Sequence, residues 1–215
     1  MTACIEEFDH PEHGYGFLIQ VPQFTTASAS AFIPFAGGVE HKTVMSSLGK
    51  ISWVIAIMRD HGSGEVSIDE NGRAVVTYSV TDRIDLANLR AGVDAMVRTH
   101  HAAGAQQIFV LADGLPSWHQ GADLDKFIAD AQMIPFGAGG YQMFSAHQMG
   151  SCRMGVDPQT SVADSDGQLH DTPGVWIGDG SAFPTSSGTN PMLTIMALAD
   201  RTVEKLIADI SGADS

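Results

Sequence analysis

Cysteine is nearly absent. The 215 residues hold two, Cys4 and Cys152. Such a pair makes no disulfide framework and fits a reducing, cytoplasmic setting. Positive charge is scarce as well. Eleven Lys and Arg against 25 Asp and Glu leave a formal net charge of −14, which argues against nucleic acid and anionic membrane surfaces as partners. Long apolar runs are missing: Trp53 to Met58 is far too short to span a bilayer. The first ten residues lack the basic start and apolar core of a secretory signal. There is no G-x-S-x-G, so a hydrolase elbow lacks its nucleophile. There is no H-E-x-x-H or C-x-x-C to hold zinc. His10-Pro11-Glu12-His13 reads as a solvated loop, since Pro11 and Gly14 make a poor helix and no acid or thiol cluster completes a metal site. No metal is expected. The G-x-G-x-x-G fingerprint of dinucleotide binding is absent too: none of the pairs Gly14/Gly16, Gly62/Gly64, Gly137/Gly139 and Gly178/Gly180 has a glycine three residues beyond.

What is present is globular. The chain is 44% hydrophobic and 17% charged, enough for one large domain or one and a half smaller ones. Tyr15 to Val21 and Lys50 to Arg59 read as strands. Glu65–Asp69 and Ala74–Val80 read as a hairpin around Asn71-Gly72. The tight connections predict one antiparallel sheet from Lys50 onward. Thr81 to Ala103 is an amphipathic helix, with His100-His101 placed to meet its negative end. A strand over Gln107–Ala112, a helix over Ala122–Gln132, a glycine-rich loop and a strand over Tyr141–Ala146 complete the first part. Runs of strand and helix in this order predict an α+β fold.

The last part has a different plan. Val175-Trp176-Ile177 reads as a buried strand, Ser181 to Thr189 as a loop of small residues, and Asn190 onward as a helix, with Asn190 at the N-cap and Pro191 at the first helical position. Met192, Ile195, Met196, Ala199, Val203, Leu206, Ile207 and Ile210 form one apolar stripe. A helix start carries unpaired N–H groups and partial positive charge, and small residues allow close approach, so the unit suits a large, partly anionic ligand.

Two segments, Ser145-Ala-His-Gln-Met-Gly-Ser-Cys-Arg-Met-Gly155 and Asp179-Gly-Ser-Ala-Phe-Pro-Thr-Ser-Ser-Gly-Thr-Asn-Pro-Met192 with the helix behind it, resemble the C-terminal signature of the glucose–methanol–choline (GMC) flavoprotein oxidoreductases. The wording of the first is similar to the long-chain alcohol oxidase branch. The resemblance implies an antiparallel-sheet substrate-binding region over residues 1–146. It also implies a catalytic segment over 147–215 whose strand–loop–helix completes an FAD-binding α/β domain. It implies that His147 is the base that takes the hydroxyl proton of an alcohol and that Asn190 is its partner at the substrate oxygen, with hydride passing to flavin N5. Asp179, Gly180, Ser181, Asn190, Pro191 and Met192 would then contact FAD. The N-terminal FAD-binding domain is missing from these residues, so a separate FAD-binding half or subunit is the expected partner. Met1 is then the start of a separate subunit, a misread start or the edge of a truncated gene. The competing expectation is a non-catalytic remnant that keeps the fold and does not bind FAD alone. Cys152 reads as a packed small residue, and Phe24, Phe32 and Phe35 suit an apolar pocket.

Overall fold

The computed structural model describes residues 3–6, 8, 16–33, 35 and 37–213, with the side chain of residue 213 left out of the description. The His10–His13 segment and Tyr15 lie outside the described residues. The chain forms two compact units: Met1–Gly62 with Ser79–Phe144, and Ser63–Tyr78 with Ser145–Ser215. The elements are α-helices and small antiparallel sheets, an α+β fold.

The first unit starts with β1 (Cys4–Ile5), β2 (Phe17–Gln20), α1 (Thr26–Phe32) and α2 (Gly38–Ser46), and continues to β3 (Ile55–Met58). Thr25 and Ser28 exchange side-chain and backbone hydrogen bonds as a capping box that starts α1. β2 lies between β1 and β3, antiparallel to both, with Phe17 opposite Met58 and Ile19 opposite Ala56. The next strands in the chain are β4 (Glu65–Ile68) and β5 (Ala74–Thr77), which belong to the second unit. The chain then returns to the first unit as α3 (Arg83–Ala102), β6 (Gln107–Ile108), β7 (Trp118–His119) and α4 (Leu124–Gln132).

Helix α3 has an apolar side for each of its neighbours. Ala95 joins Phe17 and Ile19 in one cluster, while Val93 and Val97 join Ile108, Trp118, Phe127, Ile128, Ala131 and Tyr141 in another. Gly92 lets the helix lie close on the sheet, because a Cβ there would sit 3.2 Å from the Ala56 methyl. Asp82 caps α3 by accepting from the Ile84 and Asp85 amides. Asp85, only 3% exposed, accepts from the His61 and Gly62 amides and faces His61 Nδ1 at 3.0 Å. His61, Asp82 and Asp85 converge closely enough to suggest a metal site. The backbone amides already occupy three of the four carboxylate oxygens, so the cluster acts as a clasp for the turn after β3.

Several expectations change. The hairpin forms around Gly72 at φ 75°, but it does not extend a sheet with β3. β3 pairs with β2, and β4 and β5 stand as their own two-stranded sheet. The Asp85 carboxylate occupies the His61 and Gly62 amides just after β3, so they are not free to continue a ladder. The strands expected over Gln107–Ala112 and Tyr141–Ala146 shrink to Gln107–Ile108 and isolated bridges from Tyr141 to Ala112 and to Phe136. The glycine-rich loop is the cause: a Cβ on Gly140 would lie 2.0 Å from the Pro135 carbonyl oxygen, so the chain doubles back where the sheet would have grown. His100, expected to favour its charged form at the helix end, is instead pushed below the usual imidazole range by burial.

In the second unit, Val175–Ile177 does not form the expected strand. Only Trp176 bridges, to Gln168, with hydrogen bonds from Leu169 to Val175 and from Ile177 to Gly167 on either side. A returning turn, not a neighbouring strand, satisfies that backbone. Asp164 Oδ1 closes the turn by accepting from the Asp166, Gly167 and Gln168 amides. Helix α5 (Met192–Ala213) closes the chain. It seats one face on glycines. A Cβ on Gly167 would meet Thr202 at 2.8 Å, and one on Gly180 would meet Ile195 at 3.3 Å. The stripe read from sequence therefore splits: Ile195, Ala199 and Leu206 are half-buried, while Met192, Met196, Val203, Ile207 and Ile210 are exposed.

Candidate active site

His147 lies on an irregular segment shaped by Ser145. The His147 amide donates to Ser145 Oγ at 3.3 Å, and the Gln148 side-chain amide donates to the Ser145 carbonyl at 2.5 Å. The two sequence segments that carry the resemblance are stitched together. The Cys152 amide donates to the Ser181 carbonyl at 3.0 Å, and the Met154 amide to the Ala182 carbonyl at 2.9 Å. Cys152 is half-buried and held by its backbone, as a packed residue. Asp179 starts the short turn Gly180–Ala182 by accepting from the Ser181 amide at 2.7 Å. The Ser181 hydroxyl, and then its backbone N–H, hold the Asp179 carboxyl below the usual carboxylate range.

Asn190 is expected at the N-cap. The structure places it one residue earlier: α5 begins at Met192, and the Pro191 carbonyl accepts the first helical hydrogen bond, from Ile195, at 2.8 Å. The Asn190 side chain is thus not spent on the helix. Its Nδ2 faces His147 Nε2 at 3.4 Å, across 43 residues of chain. An amide nitrogen has only protons to give, so Nε2 is the acceptor here and the ring proton belongs on Nδ1. The contact is longer than a typical N–H hydrogen bond, leaving the Nε2 lone pair weakly engaged.

The other expected contact residues divide. Asp179 and Met192 are exposed, Ser181 is half-buried, and Gly180 and Pro191 are buried. The amides of Met192, Leu193 and Thr194 open the helix and have no partner within it. These donors, with the exposed Asp179 carboxylate, fit the phosphate and polyol groups of FAD. Gly180 does not offer its open side: the Gln148 carbonyl and Ile195 fill the place a Cβ would take.

Residues 60–199 match the GMC oxidoreductase family, over a span that includes His147, Asp179 and Asn190. The chain belongs to the GMC oxidoreductases. Its relatives in Arabidopsis thaliana include three long-chain-alcohol oxidases. FAO3 is 34% identical over 85% of this chain and 25% of its own length, FAO4B 31% over 96% and 28%, and FAO4A 28% over 93% and 27%. The chain thus spans about a quarter of the length of these curated relatives. No helix among the described residues of this GMC chain is long and apolar enough to cross a membrane.

Of the aromatic residues expected to suit a pocket, Phe24 and Phe32 meet edge to face at 5.8 Å, within the first unit. Phe35 does not join them; it is 73% exposed and faces the His41 ring at 5.5 Å. Trp53 and Phe144 take its place, at 4.6 Å from Phe24 and 4.7 Å from Phe32. A Ser–His contact not legible from sequence, Ser161 Oγ to His170 Nε2 at 2.9 Å, is structural. The hydroxyl already donates to the Asp157 carbonyl at 2.6 Å, so His170 is the donor and no nucleophile is formed.

Proposed function

We propose that this chain is the C-terminal catalytic portion of an FAD-dependent alcohol oxidoreductase, with His147 as the base. The observation that carries the reading is the approach of Asn190 Nδ2 to His147 Nε2. Oxidation of an alcohol to a carbonyl removes the hydroxyl proton and, from the adjacent carbon, a hydride. Nε2 of His147 takes the proton, since an imidazole with its proton on Nδ1 presents a lone pair there. The Asn190 amide donates to the substrate oxygen as negative charge builds on it. The two groups lie beside each other, so one substrate hydroxyl can approach both, which supports this reading. FAD, when bound, supplies the hydride acceptor at N5. Asp179, Ser181 and the opening amides of α5 would hold it.

The names of the Arabidopsis relatives make long-chain alcohols the substrate class to test first. An FAD-binding portion, matching the part of those relatives that this chain does not cover, would be its partner. The decisive experiment is His147→Ala in the flavin-loaded enzyme formed with that portion. Turnover of a long-chain alcohol should fall by about 10²-fold or more. Turnover within a factor of two of the parent would overturn the assignment of the base.

A further inference from the structure

Gly180 is buried between the two halves of the candidate site. The Gln148 carbonyl oxygen, next in the chain to His147, is 3.1 Å from where a Cβ would stand. Ile195 of α5, on the turn that follows Asn190, is 3.3 Å from the same point. The next residues of the turn, Ser181 and Ala182, accept the hydrogen bonds that hold Cys152 and Met154 beside it. The backbone after His147 and the first turn of α5 therefore lean on the same spot. We infer that Gly180 is a positioning residue: the missing side chain sets the distance between His147 Nε2 and Asn190 Nδ2. This rests on reading those two residues as a working pair, and it gives Gly180 a role other than touching the cofactor. An added methyl must displace a backbone carbonyl, which cannot rotate away as a side chain does. Gln148 and His147 move with it, and a shift of a few tenths of an ångström away from Asn190 takes a 3.4 Å contact out of hydrogen-bond reach.

The test uses the chain as it is. Its histidine ring nitrogens are followed by NMR at about pH 8, where an ordinary imidazole is neutral, with His147→Ala identifying the signal. Asn190→Ala is expected to shift the His147 Nε2 resonance. Gly180→Ala should shift it in the same sense, and in that background the further effect of Asn190→Ala should fall by at least half. Ile195→Ala loosens the same seat from the helix side without touching the backbone and should give the same loss of coupling. It stands in if Gly180→Ala does not fold by circular dichroism. If Asn190→Ala shifts the signal equally in the parent, in folded Gly180→Ala and in Ile195→Ala, the positioning role is wrong. If Asn190→Ala is silent in the parent, it is the His147–Asn190 pair that is wrong, and the inference goes with it.

Discussion

Asn190 and Tyr141 show how a residue's role follows from what stands beside it. Asn190 precedes a helix and would ordinarily cap it, but the helix starts one residue late and Pro191 takes the cap position, so the amide is left to face His147. Tyr141 read only as the start of a strand. In the structure it is buried, its hydroxyl donates to the Ala131 carbonyl at 3.0 Å, and its ring stacks on Phe136. Burial pushes its hydroxyl up to about 12, with the nearby Arg90 pulling weakly the other way. The folded state thus holds the proton more tightly than the unfolded one. That contribution is whole below about pH 10, the ordinary tyrosine value, and is lost as pH climbs toward about 12. Tyr141→Phe should remove this alkaline loss of stability. At neutral pH it should cost about 0.5–1.5 kcal/mol, by removing one buried hydrogen bond from a carbonyl that the Ile134 amide also reaches. Denaturant midpoints at a series of pH values measure both.

At the scale of elements, α5 and the β4–β5 hairpin both leave apolar side chains in solvent. Val66, Ile68 and Val76 share one exposed face of the hairpin, since Val66 pairs with Val76 and Ile68 with Ala74. On α5, Met192, Met196, Val203, Ile207 and Ile210 recur at helical spacing, and Met192 is 67% exposed. The sequence shows that α5 is amphipathic but not which part of its stripe this chain covers. Ile195 and Thr202 find glycines to lie on; the next row round the helix stays exposed among the described residues. Val203→Glu with Ile207→Lys should therefore raise the solubility of the isolated chain and move its melting temperature by less than about 2 °C, because exposed positions contribute little to stability. Light scattering and thermal melts measure the two effects. A large fall in melting temperature would mean the row is already buried.

For the whole molecule, the expectation is that the isolated chain self-associates through these apolar rows and keeps no FAD after gel filtration. The dinucleotide fingerprint is not among its residues. Formed together with an FAD-binding portion, it should elute as one species carrying a flavin absorbance band. A monodisperse chain that keeps the flavin by itself would mean that these residues suffice for the site.

Local chemistry is what the sequence determined alone: the hairpin at Asn71-Gly72, the long helix opened by Asp82, the helix after Pro191, and the two segments that mark the family. Each depends on neighbours within a few residues, whose propensities and caps act without the rest of the chain. Tertiary structure decided the rest. The sheet partners of β3, the shrinking of the strand at Trp176, the buried place of Gly180 and the meeting of His147 with Asn190 all depend on residues far apart in the chain. Which backbone groups lie free to pair, and where a missing Cβ leaves room, is fixed only once the chain has packed.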